Sequence, residues 1–297
     1  MTKRTVANNF LYYLFCGFSG AVTSLIVWLF LKLMGLGIGL VWDTIPSNFD
    51  FKFYPIIVCT AGGIILGIWQ KLTNAVPDEL DEVMKKVKKD KFYPYNKVLL
   101  LCISALLPLV FGGSLGPEAG LTGVIVGLCY WAGSHMKDAK SKIPELMQIG
   151  ISATLSAVFY APLFGLASVN EERLDSEEKP TDIRSTKLIS NIIAVLFAAG
   201  TLFLLNSVFG GSMGLPLGGY NITNFERLWG IPLALLGAVC GFLFIISSKI
   251  FGKFFALIQG KLGIIISTTL GGIILGVMGT YLPLTMFSGE ESITVVK

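Results

Sequence analysis

The sequence predicts an all-α, polytopic integral membrane protein of tilted and broken helices. Three observations lead there. Of 297 residues, 53% are hydrophobic and only 14% charged, with a mean hydropathy of +0.72. A soluble domain carries about 25% charged residues. Every long segment is apolar, so residues 1–297 read as a single membrane domain. Several of these segments are shorter than the ~20 residues a straight span needs. Short segments interrupted by Gly and Pro mark broken helices that meet near the bilayer midplane.

The apolar segments run over 10–34, 54–69, 98–110, 119–134, 145–158, 161–169, 188–209, 229–248 and 262–287. The first follows Met-Thr-Lys-Arg and imitates a signal peptide. Its apolar run is too long for a signal core and lacks a clear cleavage site, so it reads as a retained span. Gly35, Gly37 and Gly39 after it read as a turn. Ala61-Gly62-Gly63 in the second segment and Gly271-Gly272 in the last would let helices pack closely. Residues 78–86 read as a short amphipathic helix, with acids in the first turn and lysines in the last, or as a solvated hairpin.

Beyond segment 98–110 lies Phe111-Gly112-Gly113-Ser114-Leu115, a flexible run of mostly small residues, then Gly116-Pro117-Glu118-Ala119-Gly120. Pro117 suits the first turn of a helix continuing to Ala132. A helix that starts inside the membrane aims free N–H groups and a positive dipole end at whatever precedes it, which makes an anion site. Glu118 is the acid beside it. A charge at bilayer depth costs roughly 2.5–3.5 kcal/mol on insertion scales, so intramembrane acids tend to line an ion path. The other reading of Glu118 is an acid at an ordinary helix start facing water.

Lysine and arginine placement predicts the topology. Lys3 and Arg4, the lysines from Lys71 to Lys97, Lys137 to Lys142, Arg173 to Lys187, and Lys249 to Lys261 fall on one side; the other holds Lys32, Lys52 and Arg227. By the positive-inside rule the first set is cytoplasmic, with the N-terminus. Residues 111–120 and the Tyr160-Ala161-Pro162 corner then approach from outside, and Glu171-Glu172 lies inside.

The remaining composition excludes other chemistries. A net charge of +4 spread over loops is no nucleic-acid footprint. Five cysteines, odd in number and without Cys-x-x-Cys, read as buried thiols. One histidine, His135, leaves no material for a His-based metal site or a Ser-His-Asp triad, and there is no P-loop and no Gly-x-Ser-x-Gly. The sequence calls for no cofactor, no metal and no enzyme activity. The Asn221-Ile222-Thr223 sequon carries no weight, because such triplets are common by chance.

Two stretches together resemble the CLC family of chloride channels and chloride/proton antiporters. Gly116-Pro117-Glu118-Ala119-Gly120 is similar to the family's G-(K/R)-E-G-P signature, with Pro117 in place of the basic residue and Ala119-Gly120 in place of Gly-Pro. Phe159-Tyr160-Ala161-Pro162-Leu163-Phe164-Gly165, followed by Glu171-Glu172, resembles F-N-A-P-L-A-G…E-E, with the spacing from proline to glutamates preserved. The glutamates would otherwise read as loop acids. A third motif, G-S-G-I-P, should fall at Thr73-Asn74-Ala75-Val76-Pro77, with Asn74 at the position of the anion-contacting serine. An amide N–H₂ can donate to an anion.

The resemblance implies two inverted repeats, residues 10–209 forming the first and 210–297 the start of the second. It implies chloride or a similar anion and protons as cargo, a homodimer, and the cell membrane as location. Glu118 would be the external gating glutamate and Glu172 the internal proton-transfer glutamate. Gly116, Pro117, Ala119 and Gly120 would form the helix start that faces the anion, with Asn74 as a further donor. The family's late motifs do not follow residue 290. The sequence is therefore expected to be a truncated or split product, or to draw the rest of its pore from another chain. Alone it is expected to bind chloride weakly. Two rival functions stand beside transport of chloride: a non-transporting fragment or assembly partner, and a transporter of another anion such as an organic acid.

Overall fold

The computed structural model describes residues 3–48, 51–78, 82–83, 85–86, 96–135, 143–174, 183–210, 224–258 and 262–289. Among them the regular structure is helical throughout. The order is α1 (Lys3–Ile38), α2 (Tyr54–Thr73), α3 (Val98–Val110), α4 (Pro117–His135), α5 (Ile143–Val158), α6 (Pro162–Leu174), α7 (Ile183–Phe209), α8 (Asn224–Ala256) and α9 (Gly263–Tyr281). Five helical segments are long and apolar enough to cross a membrane: Tyr12–Thr44, Tyr54–Thr73, Leu188–Phe209, Leu228–Ala256 and Gly263–Tyr281. The protein is a multi-pass membrane protein.

The short helices hold the centre. In α5 every residue from Ile149 to Val158 is buried, and in α4 residues 120–127 are buried. Around them pack α1, α3, α6 and α7. Three apolar clusters mark the contacts. Ile125, Val126 and Cys129 of α4 meet Met147, Ile151 and Leu155 of α5. Val27 and Phe30 of α1 meet Leu121, Ala157, Val158 and Leu202. Cys16 meets Leu146, Ile149 and Ala194. At 1.5 Å per residue, the 16 residues of α5 reach about 24 Å and the 13 of α6 about 20 Å, against a hydrocarbon core of about 30 Å. Neither helix alone matches that thickness, and residues 159–161 join them. Sequence segments 145–158 and 161–169 are two short helices that pack against each other across that corner.

Residues 78–86 carry a helical piece at 82–83 and 85–86. Val83 is fully buried in the α4–α5 cluster, and Lys86 pairs with Asp78 at 2.6 Å. The segment is thus anchored by an apolar residue and is not solvated on all sides. At Gly35, Gly37 and Gly39 the structure differs from the expected turn. Helix α1 runs through Ile38 and continues as a π-helical turn over Gly39–Thr44. The reason is packing: a methyl at Gly37 would meet the Val110 side chain, so glycine lets α3 approach.

Helices α2 and α9 pack as an antiparallel pair through glycine. A methyl at Gly63 would strike the Thr268 carbonyl, and one at Gly272 the Cys59 carbonyl. Gly67 lies against Ile265, and Gly276 against Ile56. These contacts come in matched pairs because the helices share a hexapeptide. Gly62-Gly63-Ile64-Ile65-Leu66-Gly67 recurs as Gly271-Gly272-Ile273-Ile274-Leu275-Gly276. The interface is self-complementary about an axis between the two chain segments. The preceding helices also share a pattern, Gly20-Ala21-Val22…Lys32 in α1 and Gly237-Ala238-Val239…Lys249 in α8. Helix α1 uses Gly20 to approach Ala194 of α7, whereas space beside Gly237 is open and residues 228–254 are exposed.

Candidate functional site

Helix α3 ends two residues after Pro108, whose ring removes a backbone donor inside the helix. The chain then turns at Gly112, with φ +85°, a conformation glycine adopts without strain. Gly113 N–H donates back to the Pro108 carbonyl at 2.7 Å, and Leu115 N–H to the Gly113 carbonyl at 2.9 Å. Helix α4 begins at Pro117 with Glu118 as its first-turn acid. Its next N–H groups, from residues 118–120, have no carbonyl one turn earlier within the helix.

Glu118 is half-buried. Its carboxylate folds back over Gly116, filling the space a side chain there would need. Gly120, one turn on, lies directly against the Ala105 methyl of α3. The Thr122 hydroxyl donates to the Glu118 carbonyl at 2.6 Å and is itself fully buried. Gly116, Pro117, Glu118 and Gly120 thus share one compact turn. Ala119 lies within it along the backbone.

The α5–α6 corner is built in a related way. Tyr160 adopts φ +50°, and Ala161 N–H donates to the Ser156 carbonyl at 3.1 Å. For a bulky side chain the left-handed region costs roughly 1–2 kcal/mol, and such strain gathers at functional sites. Helix α6 starts at Pro162. Gly165 sits against the Ser152 carbonyl and the Ser156 hydroxyl, so a larger residue would push the helices apart. Ser156 also donates to the Ser152 carbonyl at 2.7 Å. Tyr160 packs on the same cluster as Leu121, Ala157 and Val158. The starts of α4 and α6 therefore share one apolar support in the interior.

Asn74 stands elsewhere in the local geometry. It is the exposed, left-handed cap of α2, with φ +47°, and its N–H donates to the Gln70 carbonyl. Neighbouring Ala75 is buried and accepts from the Ser104 hydroxyl at 2.6 Å, which in turn accepts from Trp69. Ser104 and Ala105 are successive residues of α3, one touching the Asn74–Ala75 loop and the other Gly120. Glu172 lies near the end of α6 along the backbone, at the opposite end from Pro162, and its side chain falls outside the described residues. Among the described residues no group of three His, Cys, Asp or Glu side chains could hold a metal ion.

Reading the sequence for acids and helix starts misses Trp42, Ser104 and Thr122. Thr122 has one local signal, its spacing of four residues from Glu118 on the same helix face. Trp42 and Ser104 have none, because their partners lie far along the chain.

The family model described as voltage gated chloride channel matches residues 57–296. Among curated proteins, the chain is 23% identical over 281 residues to "Putative ion-transport protein YfeO" of Escherichia coli O17:K52:H18, covering 92% of this chain and 64% of that protein. It is 21% identical over 247 residues to "Voltage-gated ClC-type chloride channel ClcB" of Escherichia coli O9:H4, covering 80% of this chain and 55% of that one. The ClcB of Shigella boydii serotype 18 matches to the same extent. The chain spans between half and two thirds of the length of these relatives.

Proposed function

The chain belongs to the voltage-gated chloride channel family, and from that premise we propose that it builds part of a path for chloride or a similar anion, exchanged against protons. One observation carries the reading: the Glu118 carboxylate lies over Gly116 at the start of a helix whose first turn is packed into the protein interior. A carboxylate at that place competes with an anion for the same amide donors. When it takes up a proton, it yields the donors to the anion. Glu118 is then gate and proton acceptor, with Gly116, Pro117, Ala119 and Gly120 shaping the anion-facing turn. Glu172 is the inner proton glutamate, and Asn74 a donor on the α2 side of α3.

The N-terminus and the Lys86 side lie in the cytoplasm of the cell membrane by the lysine and arginine asymmetry. Residues 10–209 form the first repeat and 210–297 the start of the second. The shared hexapeptide of α2 and α9, and the shared pattern of α1 and α8, support that division. Two protomers associate, as the family resemblance implies. Members of the family are channels or transporters, not enzymes, and the reading assigns no reaction to the chain.

Anion-replacement flux tests the substrate. The assembly purified through this chain from its native membrane, placed in liposomes, is expected to move chloride faster than an organic acid anion. The reverse order makes it a transporter of another anion. Absence of any flux makes it a non-transporting partner.

A further inference from the structure

We infer that Trp42, Met286 and Phe287 clamp the loop ahead of Glu118 and act as positioning residues for the gate. The loop, residues 111–116, contains three glycines and makes few hydrogen bonds of its own. Free in solution it would sample many shapes. In the protein it is held by residues distant in sequence. The Trp42 indole N–H donates at 2.9 Å to the Val110 carbonyl, an acceptor in the last turn of α3 with no partner in its own helix. The Phe287 backbone N–H donates to the Gly112 carbonyl at 3.3 Å. The Trp42 ring and the Met286 methyl together fill the space beside Gly112.

The clamp is itself braced. Trp42 meets Phe287 edge to face, with ring centres 5.3 Å apart and planes at 82°. It meets Tyr54 in the same manner at 5.9 Å, and the Tyr54 hydroxyl donates to the Val41 carbonyl. Met286 is buried against Gly279 of α9. Phe287 holds a left-handed backbone, φ +61°, which persists only where the surroundings impose it. On the other side of the loop the Phe111 ring rests on Gly62, and Cys59 Sγ donates to the Phe111 carbonyl at 3.4 Å. The loop ends at Gly116, under the Glu118 carboxylate. The position of the loop's last residue therefore sets the space the carboxylate can occupy. The segment following α9 is in this way coupled to the start of α4. The consequence for gating rests on the function proposed above; the clamp does not.

Two measurements separate these layers. In the first, Ser114→Cys, an exposed loop position, is labelled with a thiol reagent in a Cys240→Ser background, Cys240 being the exposed native cysteine. Trp42→Phe keeps a ring and removes the N–H. It is expected to raise the labelling rate about threefold or more, as is Phe287→Leu, because an unclamped loop opens locally more often and presents the thiol in more orientations. Ser134→Cys, at the far end of α4, should label at an unchanged rate. An unchanged rate at Ser114→Cys, or an equal rise at both positions, overturns the clamp. Phe287→Leu stands in if Trp42→Phe does not fold. In the second, chloride flux of the native assembly is compared with and without Glu118→Gln. Trp42→Phe is expected to alter flux about threefold when Glu118 is present and by less than about 1.5-fold in Glu118→Gln, the signature of two coupled residues. Equal changes in both backgrounds overturn the positioning role. If Glu118→Gln alone leaves both chloride flux and its coupling to protons unchanged, the gate reading falls and there is no gate to position, while the labelling result still decides the clamp.

Discussion

Glu118 owes its setting to small neighbours. Gly116 leaves the space its carboxylate occupies, Gly120 lets α4 touch Ala105, and Pro117 starts the helix. Gly116→Ala should displace the carboxylate, because a methyl there has no room beside it. Glu118→Gln keeps the shape and removes the exchangeable proton. It is expected to leave chloride flux in place and abolish its coupling to protons. Glu172→Gln should also uncouple protons, with less effect on anion access, since it lies at the other end of α6. Flux recorded together with pH in the same vesicles checks both. Much at this scale is legible from local sequence: a proline at each of two helix starts, an acid after one and two acids at the end of the other. The Tyr160 backbone is not, because a left-handed turn there depends on how α5 and α6 close on one another; Thr122 shows only its spacing of four residues from Glu118.

At the scale of helices, the α2–α9 pair makes the sharpest prediction. Gly271 and Gly272 are adjacent, yet one faces open space and the other the Cys59 carbonyl. Gly272→Ala is expected to destabilise by about 1–3 kcal/mol through overpacking. Gly271→Ala should fall within about 1 kcal/mol of the native protein, helped by the better helix propensity of alanine. Gly63→Ala and Gly272→Ala lie close enough to couple, so their combined effect should depart from additivity. Unfolding in mixed detergent micelles measures all three. The glycine patches announce close packing in the sequence, and the repeated hexapeptide identifies which two helices meet. Periodicity is silent about the centre of the molecule. Helix α5 is buried nearly all round, so no polar face sets its orientation. The run Gly35, Gly37, Gly39 resembles a turn by composition, but it is helical, and Gly37 is the one of the three that Val110 approaches.

Over the whole molecule, the helix ends sort onto two sides. Trp42 bonds to Val110 and meets Phe287 edge to face, and Lys32 donates to the Gly210 carbonyl. Lys97 reaches the Thr73 carbonyl at the opposite end, where Lys86 pairs with Asp78. The expected topology puts Lys86 and residues 140 and 179 in the cytoplasm, with Asn48 and residue 221 outside; residues 140, 179 and 221 lie outside the described residues. Labelling of single cysteines on intact cells is expected to modify Asn48→Cys and spare Lys86→Cys with an impermeant reagent. The reverse pattern would invert the assignment. Glu118 links anion and proton movement in the function proposed here, and a single flux experiment decides whether it does. The native assembly carrying Glu118→Gln is placed in liposomes with a proton gradient opposed to a chloride gradient. The unmodified protein is expected to drive chloride uphill, while Glu118→Gln lets chloride run only downhill. Uphill chloride transport undiminished by Glu118→Gln would contradict that link.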